Sequence, residues 1–126
     1  MTEAKPGESW MTESNCIFCR IVRGEIPSNP VYETAHVLAF RDLHPQAPVH
    51  VLVIPKRHVD SLASMKREDA EEAGSLLLAA ATVARLEGIE DSGYRVVTNI
   101  GDEGGQSVGH LHLHVLGGRP LRWPPG

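Results

Sequence analysis

Three observations predict an α+β fold with a mostly antiparallel sheet. Short β-branched runs recur along the chain, separated by glycine, proline and polar turns. One long stretch rich in Ala and Leu has helical character. It stands apart from the strands instead of alternating with them, as a parallel βαβ arrangement would require. The count is five strands, one long helix and one short one in 126 residues. That length fits one domain with its own core.

Residues 1–15 are polar, carry one Trp and show no period. They read as a flexible arm, and the folded domain is expected over 16–126. Ile17, Phe18, Ile21 and Val22 form a short helix or turn that ends at Gly24 and is broken by Pro27 and Pro30. Val31–Tyr32 and Val37–Phe40, joined by a short polar turn, read as a hairpin. The run Val49–Ile54 is a strand, with Val49, Val51 and Val53 on one face and His50, Leu52 and Ile54 on the other.

Met65–Glu87 is the expected long helix. Ser64 would cap it, Glu68, Asp69, Glu71 and Glu72 would suit its dipole, and Gly88 would end it. Gly74 inside it would allow close packing on the sheet. Tyr94–Asn99 is the fourth strand, Gly101–Ser107 a glycine-rich loop, and His110–Leu116 the last strand. The Trp-Pro-Pro-Gly tail is irregular.

Charge and composition exclude several classes. Twelve Lys and Arg against sixteen Asp and Glu leave a net charge of -4, which disfavours a protein that tracks a nucleic-acid polymer. No apolar run is long enough for a transmembrane helix, and no leader-like apolar segment is seen, so cytoplasmic action away from membranes is expected. Two cysteines in Cys16-Ile17-Phe18-Cys19 cannot form a disulfide scaffold. The pair is half of a tetrahedral zinc site, a redox pair lacking its usual βαβ context, or two structural thiols.

The seven histidines carry the sharper signal. His110, His112 and His114 alternate with Leu111, Leu113 and Val115, so three imidazoles share one face. A core gains little from three adjacent imidazoles, each needing partners for two ring nitrogens. A solvated strand face is the plain alternative; a metal or catalytic site is the expectation. The preceding Gly104-Gly105 pair fits a hairpin turn or an anion nest. Gln106, Ser107 and Asn99 would add donors. Donors facing an unprotonated imidazole suit phosphoryl transfer. No carboxylate cluster for magnesium is evident.

The stretch Gly105-Gln106-Ser107-Val108-Gly109-His110-Leu111-His112-Leu113-His114-Val115-Leu116 resembles the histidine triad (HIT) family, with its His-x-His-x-His motif. The segments 41–50 and 53–58, Gly117-Gly118-Arg119 and the Trp123-Pro124-Pro125-Gly126 tail resemble its nucleotide-binding (HINT) purine nucleoside phosphoramidase branch. The resemblance covers residues 16–126. It implies hydrolysis at the α-phosphorus of a purine nucleotide through a covalent nucleotidyl-histidine.

The same resemblance implies the site. His112 is the nucleophile and His50 buttresses the triad. His114 and Ser107 serve the phosphate and the leaving group. Asn99 and the Gly105–Gln106–Ser107 backbone meet the non-bridging oxygens. Asp42 accepts from the ribose hydroxyls, and Leu43 and Phe18 flank the base. Cys16, Cys19, His58 and His110 hold a structural zinc that catalysis does not require, and no organic cofactor is expected. His36 and His44 are left as exposed loop residues.

A homodimer with one sheet continued across both chains is implied as well. The long helix and the Tyr94 strand would lie at its interface, and Trp123 would reach the partner's site. A dinucleoside polyphosphate hydrolase or nucleotidyl transferase is the neighbouring alternative. A non-catalytic nucleotide-binding or interaction module is the more distant one.

Overall fold

The computed structural model describes residues 15–126. The predicted arm lies outside the described residues except for Asn15. The elements are α1 (Ile17–Val22), β1 (Pro30–Glu33), β2 (Val37–Arg41), β3 (Val49–Pro55), α2 (Ala70–Leu86), β4 (Tyr94–Val97) and β5 (Leu113–Gly117). The five strands form one sheet in the order β1-β2-β3-β5-β4, and every neighbouring pair is antiparallel. No described helix is long and apolar enough to cross a membrane.

The sheet has two different faces. On one, Val51, Val53, Leu113 and Val115 pack with Leu76, Ala79, Ala80, Val83 and Ala84 of α2. The alanines let the helix lie close, and each fully buried valine contributes about 1.5–3 kcal/mol. On the other face, Leu38, Phe40, Leu52 and Ile54 cluster with Cys16, Phe18 and Cys19 at α1. Period two in β3 separates the valines from His50, Leu52 and Ile54, as predicted. The histidine-rich segment divides in the same way. Leu111, Leu113 and Val115 join the α2 core, while Phe18 lies edge-on to His110 and His112.

Four local expectations need correction. The long helix begins at Ala70, not Met65, and Ser64 does not cap it. The Ser61 hydroxyl instead accepts from Ala63 N–H at the start of a 3-10 turn over Leu62–Ser64. Met65 and Lys66 are extended, and Lys66 N–H donates to Asp69 Oδ2 at 2.9 Å. The carboxylate three residues ahead therefore sets the entry, as in a capping box.

The last strand begins at Leu113, not His110. Leu111 N–H donates to Val59 O at 2.6 Å, and His110 Nε2–H donates to Pro55 O at 2.8 Å, which draws this segment off the ladder. The fourth strand stops at Val97, because Thr98 bonds His112 O through its hydroxyl at 2.9 Å. Gly74 needs no special space, since a Cβ there would meet nothing within 4 Å.

Candidate functional site

His50 and His114 stand on the adjacent strands β3 and β5. His50 Nε2 lies 2.9 Å from His114 Nδ1. Gln46 N–H donates to His50 Nδ1 at 3.0 Å. A nitrogen that accepts from an amide carries no proton, so the His50 proton sits on Nε2 and points at His114. His114 Nδ1 then accepts, and its own proton sits on Nε2. Asp42 Oδ2 lies 3.4 Å from His50 Nε2.

His112 has the opposite tautomer. Its Nδ1 is 2.7 Å from the His110 carbonyl, which can only accept. Nδ1 therefore carries the proton and Nε2 keeps its lone pair. Burial lowers the pKa of His112 against the opposing pull of the His110 carbonyl. Burial also lowers that of His50, opposed by Asp42. His114 is pushed down to about 4 by burial, then by His112 and His50 beside it. For all three rings the shift favours the neutral form.

His112 and His114 line a cleft of about 350 Å3, a volume suited to a small ligand. Ile17, Phe18 and Ile21 of α1 wall one side, Phe40 and Leu52 form part of the lining, and Asp42, Leu43, His44, Ser107 and Val108 complete much of the rest. Of the predicted residues, Phe18, Asp42, Leu43, Ser107, His112 and His114 meet here. His50 stands behind His114. Arg41, at the rim, is paired with Glu87.

Asn99, Gly105 and Gln106 do not line the cleft. Asn99 Nδ2–H donates to Gly104 O at 2.7 Å. Gly105 N–H donates to Asp102 O and Gln106 N–H to Gly101 O, so these amides close the loop on itself instead of forming an anion nest. The Gln106 side chain donates to Asp60 O and Val108 O. Trp123 is 81% exposed and lies outside the lining in the single chain. His44, read as a plain loop residue, does line the cleft. Phe40 and Leu52 were missed, although period two puts Leu52 on the His50 face. Ile17 and Ile21 share a helical face at i, i+4, which was the available signal for that wall.

A second cluster lies behind the triad. The ligand atoms of Cys16, Cys19, His58 and His110 are all within 4.8 Å of one another. His110 Nδ1 is 3.3 Å from Cys16 Sγ and 3.5 Å from Cys19 Sγ, and His58 Nδ1 is 3.2 Å from Cys19 Sγ. Tetrahedral Zn–S and Zn–N bonds place sulfur and nitrogen about 3.5 Å apart, so the donor set fits a zinc ion. Both imidazoles are in the required tautomer. His58 donates Nε2–H to Asp60 Oδ1 at 2.9 Å and His110 donates Nε2–H to Pro55 O, which turns each Nδ1 lone pair toward the thiols. Neither cysteine is in a disulfide.

An antiparallel five-stranded sheet that carries His-x-His-x-His beside an apolar cleft defines the histidine-triad class. The HIT domain family model matches residues 23–121, and the chain belongs to that family. It is 52% identical over 118 residues to a 14 kDa zinc-binding protein of Zea mays, covering 92% of this chain and 91% of the relative. It is 53% identical over 110 residues to a HIT-like protein of Synechococcus elongatus, covering 87% and 96%. The crystal structure of a HIT family hydrolase from Legionella pneumophila superposes with a TM-score of 0.87 at 48% identity, over 89% of this chain and 100% of that one.

Proposed function

We propose that this chain is a nucleoside 5'-phosphoramidate hydrolase that acts at the α-phosphorus of purine nucleotides through a covalent nucleotidyl-histidine. The observation that carries this reading is the 2.7 Å bond from His112 Nδ1–H to the His110 carbonyl, which leaves Nε2 as an unprotonated nucleophile at a cleft. The Legionella relative, described as a hydrolase, supports the reaction class.

His112 Nε2 attacks the α-phosphorus in line, forming an N–P bond as the bond to the substrate nitrogen breaks. The bridging nitrogen takes one proton from solvent before the P–N bond breaks, so the amine leaves neutral. His114 Nε2–H bonds the phosphate or the bridging atom, and the Ser107 hydroxyl donates beside it. Water then attacks phosphorus, the bond to His112 breaks, and a nucleoside monophosphate and one proton are released. The apolar walls suit a purine base, and Asp42 accepts from the ribose hydroxyls. The Ser107 hydroxyl and the imidazoles meet the phosphate, so no basic surface and no organic cofactor is needed.

Cys16, Cys19, His58 and His110 would hold a structural zinc, and four protein ligands leave no open position for a substrate water. The name of the maize relative supports that choice of metal. The bound ion would tie α1 to the chain beyond β3 and to His110. Two reduced thiols suit the cytoplasm. A homodimer is supported by the open edge of β4, where Tyr94 and Val96 are exposed, and by exposed Leu77, Leu78 and Leu86 on α2. Trp123 would then meet the partner's cleft.

The test is a side-by-side assay of adenosine 5'-phosphoramidate, a diadenosine polyphosphate and a nucleoside diphosphate sugar. The phosphoramidate is expected to turn over fastest, releasing AMP. Faster cleavage of either other compound would overturn the proposed specificity.

A further inference from the structure

We propose that Arg119 is a positioning residue for the histidine pair, acting through Gln46 and His50 on His114. The inference rests on the reading that His114 Nε2–H serves the bound phosphate. Arg119 belongs to Gly117-Gly118-Arg119, a motif to which the mechanism above gives no role.

The contacts run in series. Arg119 Nη2–H donates to Gln46 O at 2.9 Å. Gln46 N–H donates to His50 Nδ1 at 3.0 Å. His50 Nε2–H donates to His114 Nδ1 at 2.9 Å. The remaining Arg119 contact is Nη1–H to Pro120 O at 3.1 Å. Among the described residues no carboxylate pairs with Arg119. Its guanidinium is used on backbone carbonyls.

Gly118, which faces the 42–48 loop, makes this reach possible, while Gly117 faces Ile89. Gly118 has φ +90, and a Cβ there would come within 2.8 Å of Pro48 Cβ. A Cβ at Gly117 would come within 2.7 Å of Ile89 Cδ1. Only glycine lets the chain leave β5 this close to the 42–48 loop, and the next side chain then returns over Gln46.

The consequence follows from tautomer logic. Neutral imidazole carries one proton on either nitrogen. With Gln46 N–H aimed at Nδ1, His50 must keep its proton on Nε2. If Gln46 shifts, His50 can move that proton to Nδ1. Its Nε2 lone pair would then face His114 Nδ1, and His114 would have to place its proton there. The Nε2–H offered to the phosphate would be lost. Arg119 is exposed, so its bond adds little to global stability, and its effect lies in aim.

The experiment uses the full chain and long-range 1H–15N spectra of the ring nitrogens, paired with turnover of adenosine 5'-phosphoramidate. Wild type is expected to show His50 and His114 each as a single Nε2–H form. Arg119→Ala is expected to give averaged ring signals for both and a kcat about tenfold lower, with KM within about twofold, as for one withdrawn hydrogen bond. Arg119→Lys, which can still donate to the Gln46 carbonyl, should recover most of both. Gln46→Pro removes the amide donor itself and should reproduce the averaged signals. It also serves if Arg119→Ala fails to fold.

Unchanged ring signals in the folded Arg119→Ala protein, or a loss confined to KM, would overturn the proposal. A wild type with the single-tautomer pattern but no phosphoramidate turnover would sink the hydrolase reading alone, and the ring spectra would still decide the role of Arg119.

Discussion

The rings of His50 and His114 face each other across β3 and β5 with Nε2 2.9 Å from Nδ1, and the Gln46 amide behind His50 fixes which nitrogen carries the proton. His112, two residues before His114, is held in the opposite tautomer by a backbone carbonyl. One site thus offers a bare nitrogen and an N–H side by side. A nucleophile and a hydrogen-bond donor are available at neutral pH without any proton transfer beforehand.

His112→Ala should abolish turnover, by at least ~10^4-fold in kcat, as expected when a covalent nucleophile is removed. The fold should remain, since His112 precedes β5 and the change keeps its backbone bond to Thr98. Mass spectrometry of wild type quenched during turnover should find a nucleotidyl adduct on His112. Full activity in the variant would end that assignment.

Acid should weaken the native state through His114. Its folded pKa, about 4, lies below the ordinary value of 6.5. Between those values the unfolded chain binds the proton and the folded chain does not, so stability rises with pH. The contribution is fully present above pH 6.5 and is lost as pH falls toward 4. Melting temperatures measured across this window should fall less steeply for His114→Gln than for wild type. An identical slope would count against a neutral, half-buried His114.

Purified protein should carry about one zinc per chain, and Cys16→Ala should lose it with a lower melting temperature. Because Ile17, Phe18 and Ile21 wall the cleft from the helix that bears Cys19 and is capped by Cys16, KM for the nucleotide should rise more than kcat falls. Metal analysis with steady-state kinetics decides this. Less than about half an equivalent of zinc across preparations would refute the metal assignment.

Phe18→Ala should destabilise the protein by roughly 3–5 kcal/mol, the usual cost of emptying a buried aromatic site. The ring meets Phe40, His110 and His112 at centroid distances of 5.6, 5.8 and 5.2 Å. Denaturant unfolding measures the loss. A change below about 1 kcal/mol would show that the site collapses around the smaller side chain.

Val96→Lys places a charge on the exposed edge of β4, where a continued sheet would need pairing. Light scattering should show a shift from dimer to monomer. An unchanged mass would move the interface elsewhere.

Much of the site was legible in the chain itself. Alternation in 110–115 and 49–54 separates imidazoles from aliphatic side chains, because successive side chains on extended backbone point to opposite faces. The Cys-x-x-Cys spacing, with the family resemblance, led to the four residues that cluster as candidate ligands. The aim of the loop donors is not legible in the chain, for a physical reason. Gly105 and Gln106 amides satisfy carbonyls of their own turn, and a glycine pair does not reveal where its N–H groups aim. The start of α2 was misplaced because Asp69 captures the Lys66 amide, a competition among neighbouring caps that helical character does not resolve.

The sequence by itself determined the class, the shared face of the three imidazoles and the residues able to hold a metal. Only the tertiary structure decided which nitrogen of each ring carries a proton. That choice depends on the partner the fold sets against each ring: Pro55 O from far along the chain for His110, nearby Asp60 for His58, and for His50 the nearby Gln46 amide, itself held by Arg119 across 73 residues. A residue's type sets what it can donate or accept, but its protonated nitrogen is set by the partner that folding places against it.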